Sequence, residues 1–246
     1  MPSLLTIFSL FVLGCLPIQA QLYPVAVAVV PYAATIPEGG SLQMTARLVY
    51  NNGGSAPIEP SRVQWRVNSV DPAFISNTGM LIASAVHKDT QITIHAVYAG
   101  YQGFIPAFIQ NTQPDNYGSY AGDGLEDGWQ VEHFGLDHPQ ASPLSDPDGD
   151  GQNNLFEYTA GTSPRDRYSK LVFAVLRVPS QPTHRKIEIH PILAGRSYQL
   201  QHSPDLTPGS WKPVAATPVD TGSHRVITDT DAAGASRFYR VIVTKP

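Results

Sequence analysis

Between Asn111 and Ser169 the chain is rich in Asp, Gly, Asn and Pro and carries over half of all its acidic residues. A loop of that length with no structure of its own is uncommon inside a compact protein. Two readings fit such a composition: a solvated linker, or a segment folded by something other than apolar burial.

Spacing decides between them. The run Asp146-Pro147-Asp148-Gly149-Asp150-Gly151-Gln152-Asn153-Asn154-Leu155-Phe156-Glu157 fits the calcium-loop template, with acids at positions 1, 3 and 5, glycine at 6 and glutamate at 12. A hard dication takes about six to eight oxygens at roughly 2.3 to 2.6 Å, and alternate side chains of a tight loop converge on one point. Asp146, Asp148 and Asp150 are expected to give side-chain oxygens, Gln152 its backbone carbonyl, Asn154 a contact, direct or through water, and Glu157 both carboxylate oxygens. Gly151 stands where the chain must reverse sharply, which a residue without Cβ does cheaply. Without Ca2+ the converging carboxylates repel; with it the same charges become the cohesive force of the segment. Disorder requires none of these residues at fixed offsets.

The flanks agree with an ion loop framed by helices. Asn153 or Asn154 is placed to cap a short helix running through Tyr158, with Gly161 past its end and Leu155, Phe156 and Tyr158 as the side to bury. Upstream, Asp127 is placed to cap a helix from Gly128 to Phe134 that stops at Gly135 and presents Trp129 and Phe134. The run Asp123-Gly124-Leu125-Glu126-Asp127-Gly128-Trp129 looks like the latter part of a second loop. Counting Asp123 as position 5 puts Ser119, Ala121 and Gln130 where acids are expected. Asp123 and Asp127 are nonetheless expected cation ligands, separately or as contributors to the main site. Together with the Glu157-Tyr158-Thr159-Ala160-Gly161-Thr162-Ser163-Pro164 ending, this segment resembles the thrombospondin type 3-like calcium repeats of secreted bacterial proteins.

On either side the signals are those of strands. Leu42, Met44, Ala46, Leu48 and Tyr50 alternate as one face of a strand, as do Val63, Trp65 and Val67, and Ile92, Ile94, Ala96 and Tyr98. Turn residues separate them at Pro37-Glu38-Gly39-Gly40, Asn51-Asn52-Gly53-Gly54 and Asn77-Thr78-Gly79. The order Ile36 to Gln43, then Val63-Gln64-Trp65, then Ile75 to Gly79 resembles a group 2 bacterial Ig-like domain. That resemblance implies a spacer or adhesive module of cell-surface proteins.

Strand signals return from Lys170 to Val243, marked by Leu171 to Leu176, Ile187, Ile189, Tyr198, Leu200, Trp211 and Phe238 to Val243. Ser197 to Leu206, Trp211 and Arg237 to Val241 resemble the C-terminal β modules of secreted verrucomicrobial and planctomycete proteins. The expected fold class is therefore mainly β: two Ig-like β-sandwich modules, residues 21–112 and 169–246, joined by a calcium-binding segment with short helices, residues 113–168.

Residues 1–20 read as a signal peptide, with an apolar run from Leu4 to Leu16 too short to span a bilayer and Ala20 at the cleavage position, although a basic n-region is missing. Val12-Leu13-Gly14-Cys15 resembles a bacterial lipobox, so lipid anchoring through Cys15 is the alternative to cleavage after Ala20. Cys15 is the sole cysteine, so a chain cleaved after Ala20 has no disulfide to brace it outside the cell.

These features point to a secreted or cell-surface structural or adhesive protein without a transmembrane helix in its mature form, with calcium as its cofactor, expected to rigidify the connector between the two modules. The net charge of -4 argues against a nucleic-acid surface. No nucleophile-and-base motif, no His-Glu-x-x-His and no phosphate-cradling glycine loop occurs, and the histidines are scattered, so no catalytic residue is assigned. The partner is an extracellular polysaccharide or a cell-surface protein; a carbohydrate-binding accessory protein of a polysaccharide-degrading system is the alternative function. Trp129 and Trp211 are core anchors or sugar platforms, and Asp229 with Asp231 is a plain turn before the final strand, with a further cation contact or a polysaccharide ligand pair as the alternatives.

Overall fold

A computed structural model describes residues 21–68, 72–233 and 236–246. The leader and Cys15 lie outside the described residues. The chain is mainly β. Its first half carries β1 (Pro24–Val30), β2 (Ala34–Pro37), β3 (Ser41–Gln43), β4 (Thr45–Tyr50), β5 (Ser55–Ile58), β6 (Gln64–Val67), β7 (Ala73–Ile75), β8 (Met80–Ala83), β9 (Thr90–Tyr98) and β10 (Tyr101–Gln110). Two helices follow, α1 (Asp127–Phe134) and α2 (Asn154–Ala160). The second half carries β11 (Val172–Val178), β12 (Gln181–His190), β13 (Ser197–Ser203), β14 (Lys212–Pro213), β15 (Val219–Thr221), β16 (His224–Asp229) and β17 (Phe238–Thr244).

The chain divides into two compact units. One comprises residues 21–34, 41–82 and 91–107; the other comprises 35–40, 83–90 and 108–246. In the first unit β1, β4 and β5 form one antiparallel sheet, and β3, β8 and β7 another. β6 pairs with β9, which turns into β10. Alternation puts Val27, Val29, Ala46, Trp65, Ile92, Ile94 and Ala96 on buried faces. The run from Leu42 to Tyr50, expected as one strand, is two. It breaks at fully buried Met44, whose N–H donates to the Gly79 carbonyl at 2.8 Å, and its halves pair in different sheets. Gly79 has φ +81, and a Cβ there would lie 2.6 Å from the Met44 carbonyl oxygen.

In the second unit β11, β12, β16 and β15 form one sheet, while β14, β13 and β17 form the other. Ile187, Ile189 and Ile227 of the first pack with Tyr198 and Leu200 of the second, making the sandwich core. Tyr239, Val241 and Val243 close over it. Buried Asp229 accepts from Arg237 Nε at 2.6 Å and from the Tyr239 hydroxyl at 2.8 Å, and Asp231 N–H donates to its other oxygen at 3.0 Å. Burial and this carboxylate together push the Tyr239 phenol up to about 12. Asp229 is thus a buried anchor of β16 to β17 rather than a bare turn residue.

The acidic segment belongs to this same unit. Glu38, at the end of β2, receives N–H groups from Val86 at 3.0 Å, Thr112 at 2.8 Å and Gln113 at 2.6 Å. It fixes the point where the segment begins.

Candidate metal centre

The loop before α2 is built by side chains that bond to its own backbone. Asp146 Oδ1 accepts from Gly149 N–H at 2.9 Å and Asp150 N–H at 3.2 Å, and its Oδ2 accepts from Gly151 N–H at 2.9 Å. Asp148 accepts from Asp150 N–H at 3.1 Å, and Asp150 from Gln152 N–H at 2.8 Å. Gly149 and Gly151 take φ of 72° and 94°, the left-handed region where a Cβ is costly. This winding leaves one oxygen each of Asp148 and Asp150 buried and unpartnered. Asp146, Asp148 and Asp150 present oxygens within 4.8 Å of one another.

Asn153 caps α2, its Oδ1 accepting from Phe156 N–H at 2.9 Å, and Gly161 ends the helix in the left-handed conformation at φ 81°. The face that α2 buries is not the expected one. Leu155 and Phe156 are 41% and 36% exposed, whereas Asn154 and Glu157 are fully buried. One helical turn separates those two residues, so the polar stripe of the helix points inward.

Glu157 is the group that defines the centre. Neither carboxylate oxygen has a hydrogen-bond partner. A buried ionised carboxylate with no donor is among the costliest groups a fold can hold. Burial, followed by the charges of Asp148, Asp150 and Asp146, pushes its pKa up to about 8. Burial likewise raises Asp148, while the N–H of Gly151, ahead of those of Gly149 and Asp150, draws Asp146 down. The oxygens that lie within 4.8 Å of one another are those of Asp146, Asp148 and Asp150; Glu157 stands outside that group but near enough for their charges to act on it. Asn154 Oδ1 is also buried and unpartnered, while its Nδ2 donates to the carbonyls of Gln140 at 2.7 Å and Ser142 at 2.8 Å.

No family model matches the chain. No curated protein matches it either. Among solved structures it is similar to the S-layer protein SbsC, domains 5-6, at 9% identity over 92% of this chain and 98% of that one, with a TM-score of 0.31. Against SbsC domains 4-9, also at 9% identity and a TM-score of 0.31, the match covers 92% of this chain, which spans 31% of that one. Titin domains Z1Z2 in complex with telethonin match at 8% identity over 89% of this chain and 95% of that one, TM-score 0.24. Likeness this distant leaves function to be read from the chain's own residues.

The side chains of the remaining expected ligands make hydrogen bonds of their own. The Gln152 side chain is a staple: its Nε2 donates to the Leu171 carbonyl at 2.6 Å, and Leu171 N–H donates back to its Oε1 at 3.1 Å. Asp127 does not cap α1; it is the first helical residue, fully buried, and its Oδ2 accepts from Asn116 N–H at 2.6 Å and Tyr117 N–H at 2.8 Å. Asp123 accepts from Leu125 N–H at 2.9 Å and from Gln130 Nε2 at 2.8 Å. Asp115, which no template offset reaches, receives the N–H groups of Gly122 at 2.7 Å, Asp123 at 3.2 Å and Gly124 at 2.9 Å.

Tyr158 and Glu126 tie the segment to Lys245, the residue after β17. Trp129 lies edge-on to Tyr158 at 5.5 Å, and Lys245 Nζ sits 4.0 Å from the Tyr158 ring centre while donating to Glu126 at 2.7 Å. Trp211 carries the Arg240 guanidinium over its ring at 4.3 Å, so one face is already covered.

Proposed function

We propose that Asp146, Asp148, Asp150, Gln152, Asn154 and Glu157 hold one Ca2+, and that its role is to consolidate residues 113–168 in a secreted or cell-surface, non-catalytic protein. The buried, partnerless Glu157 beside three acids carries this reading. A dication supplies the positive charge that this carboxylate lacks. The three Asp side chains, both Glu157 oxygens and the Gln152 carbonyl already approach the six to eight oxygens that calcium takes, about a full shell. A shell filled from one loop leaves little room for substrate, which favours a structural ion over a catalytic one. The leader pattern favours export, where calcium is abundant enough for a site of about 10⁻⁴ to 10⁻³ M.

The test is a calcium titration followed by scanning calorimetry, with limited proteolysis of the same samples. Ligand binding to the folded state alone raises Tm, by about 2.7 kcal/mol of stability at a hundredfold excess over Kd. Wild type is expected to show this rise together with calcium-dependent protection between Asn111 and Ser169. The double variant Asp148→Asn, Glu157→Gln is expected to show neither. A wild-type Tm and cleavage pattern that ignore chelation would end the proposal.

Among the described residues no helix is long and apolar enough to cross a membrane.

A further inference from the structure

Resting on that reading of the second loop, we infer that the preceding loop is a structural copy of it that closes without an ion, with the Gln130 amide standing where the cation stands in the second.

The two loops correspond residue by residue at a constant interval. Gly122, Asp123, Gly124, Asp127 and Gln130 match Gly149, Asp150, Gly151, Asn154 and Glu157. The match extends to conformation: Gly122 and Gly124 take φ of 80° and 91° where Gly149 and Gly151 take 72° and 94°. It extends to hydrogen bonding as well. Three successive N–H groups, from Gly122, Asp123 and Gly124, converge on Asp115 as those of Gly149, Asp150 and Gly151 converge on Asp146. In each case a helix follows whose buried polar positions lie one turn apart: Asp127 and Gln130 in α1, Asn154 and Glu157 in α2, all fully buried.

The copies differ where an ion would be held. Ala121 stands at the counterpart of Asp148 and offers no oxygen. Gln130 stands at the counterpart of Glu157, and its Nε2 donates to Asp123 at 2.8 Å and to the Ala141 carbonyl at 3.0 Å. A neutral donor thus meets the Asp123 carboxylate directly. Both oxygens of Asp115 and both of Asp123 are bonded to N–H groups. The buried oxygens left without a partner around the first loop are one each of Asn116, Asp127 and Gln130, a single carboxylate oxygen among them, against four carboxylate oxygens of Asp148, Asp150 and Glu157 in the second. Among the described residues, the group of three acids close enough to share a cation is the one in the second loop.

The arrangement also gives the metal-free loop a task. Gln130 from α1 grips the carbonyl of Ala141, while Asn154 from α2 grips those of Gln140 and Ser142. Three consecutive carbonyls are therefore held alternately from the two helices. The first loop and α1 form a prebuilt half against which the ion loop is organised, and the segment takes one Ca2+ per chain rather than two.

Native mass spectrometry of the full chain in calcium, with hydrogen exchange in calcium and in chelator, tests this. One ion is expected in wild type. Chelation is expected to lower protection of the Gly149, Asp150 and Gly151 amides about tenfold or more while leaving those of Gly122, Asp123 and Gly124 unchanged. Gln130→Glu removes the amide donor and restores the template acid beside Asp123 and the unpartnered Asp127 Oδ1, so it is expected to bind a second ion. Two ions in wild type, or loss of protection in both loops on chelation, overturns the inference and leaves the ion reading of the second loop standing. No ion in wild type overturns both. Because exchange is read on wild type, the test stands even if Gln130→Glu fails to fold.

Discussion

Glu157 is a carboxylate placed where water cannot serve it, and this single residue sets the behaviour of the loop. Replacing it by glutamine keeps the shape and removes the charge that three neighbouring acids oppose. Glu157→Gln is therefore expected to melt at or above wild type in chelator and to gain nothing from calcium, a pairing that calorimetry reads directly. Glu38 is the contrasting case. Burial works to raise its pKa, but the N–H groups of Val86, Gln113 and Thr112 outweigh burial and hold it below the usual carboxylate range. A group depressed on folding stabilises above its unfolded pKa, and that contribution is lost as pH falls through the folded value. Glu38→Gln is expected to flatten the acid limb of the stability curve below about pH 4.5. Glu38→Ala, which strands three N–H donors, is expected to cost about 1 to 3 kcal/mol in urea unfolding.

At the level of elements, the sequence was most informative where a residue type answers a local geometric need. Asn153 as cap, Gly161 and Gly135 as helix stops, and Gly151 at positive φ are all legible because cap and turn chemistry acts within a few residues. It misled where burial is decided by distant partners. Apolar residues are assumed to turn inward, yet α2 leaves Leu155 and Phe156 half-exposed and buries Asn154 and Glu157. The expected alternation is seen from Leu42 to Ala46 and is lost from Arg47 to Tyr50, where every residue is half-buried, and the strand itself divides, because period two says which face is buried and not which sheet a residue joins. The side-chain bonds of Gln130 and Gln152 had no signal, since nothing in a glutamine's neighbours along the chain marks its partner. Two strand-level outcomes follow from the β9–β10 hairpin. Ala99 sits at φ 49° before Gly100 at φ 86°, a turn suited to Asn-Gly. Ala99→Asn is expected to add about 0.5 to 1 kcal/mol, read as a higher urea midpoint with unchanged slope. Gly103→Ala is expected to cost about 3 kcal/mol or more, because its Cβ would lie 1.9 Å from the Val27 carbonyl oxygen.

Across the whole molecule, the proposed calcium site is expected to act on stability unevenly. The acidic segment shares its unit with the C-terminal strands, to which Gln152, Tyr158 and Lys245 bind it. Chelation is therefore expected to expose first the peptide bonds around Asp146 to Glu157, with the first proteolytic cuts falling there and the sandwich core around Ile187 and Leu200 yielding only later. Gln152 makes a further connection. The strand it staples through Leu171 is β11, an outer strand whose Val172, Phe173, Val175 and Leu176 are all more than 40% exposed. A greasy outer strand with an unpaired rim is the usual seed of sheet-to-sheet sticking between molecules. The residue whose backbone carbonyl is proposed to complete the ion shell also steadies that strand at its root through its side chain, so chelation is expected to be felt less as loss of shape than as loss of good manners in solution: turbidity rising before the far-UV spectrum changes.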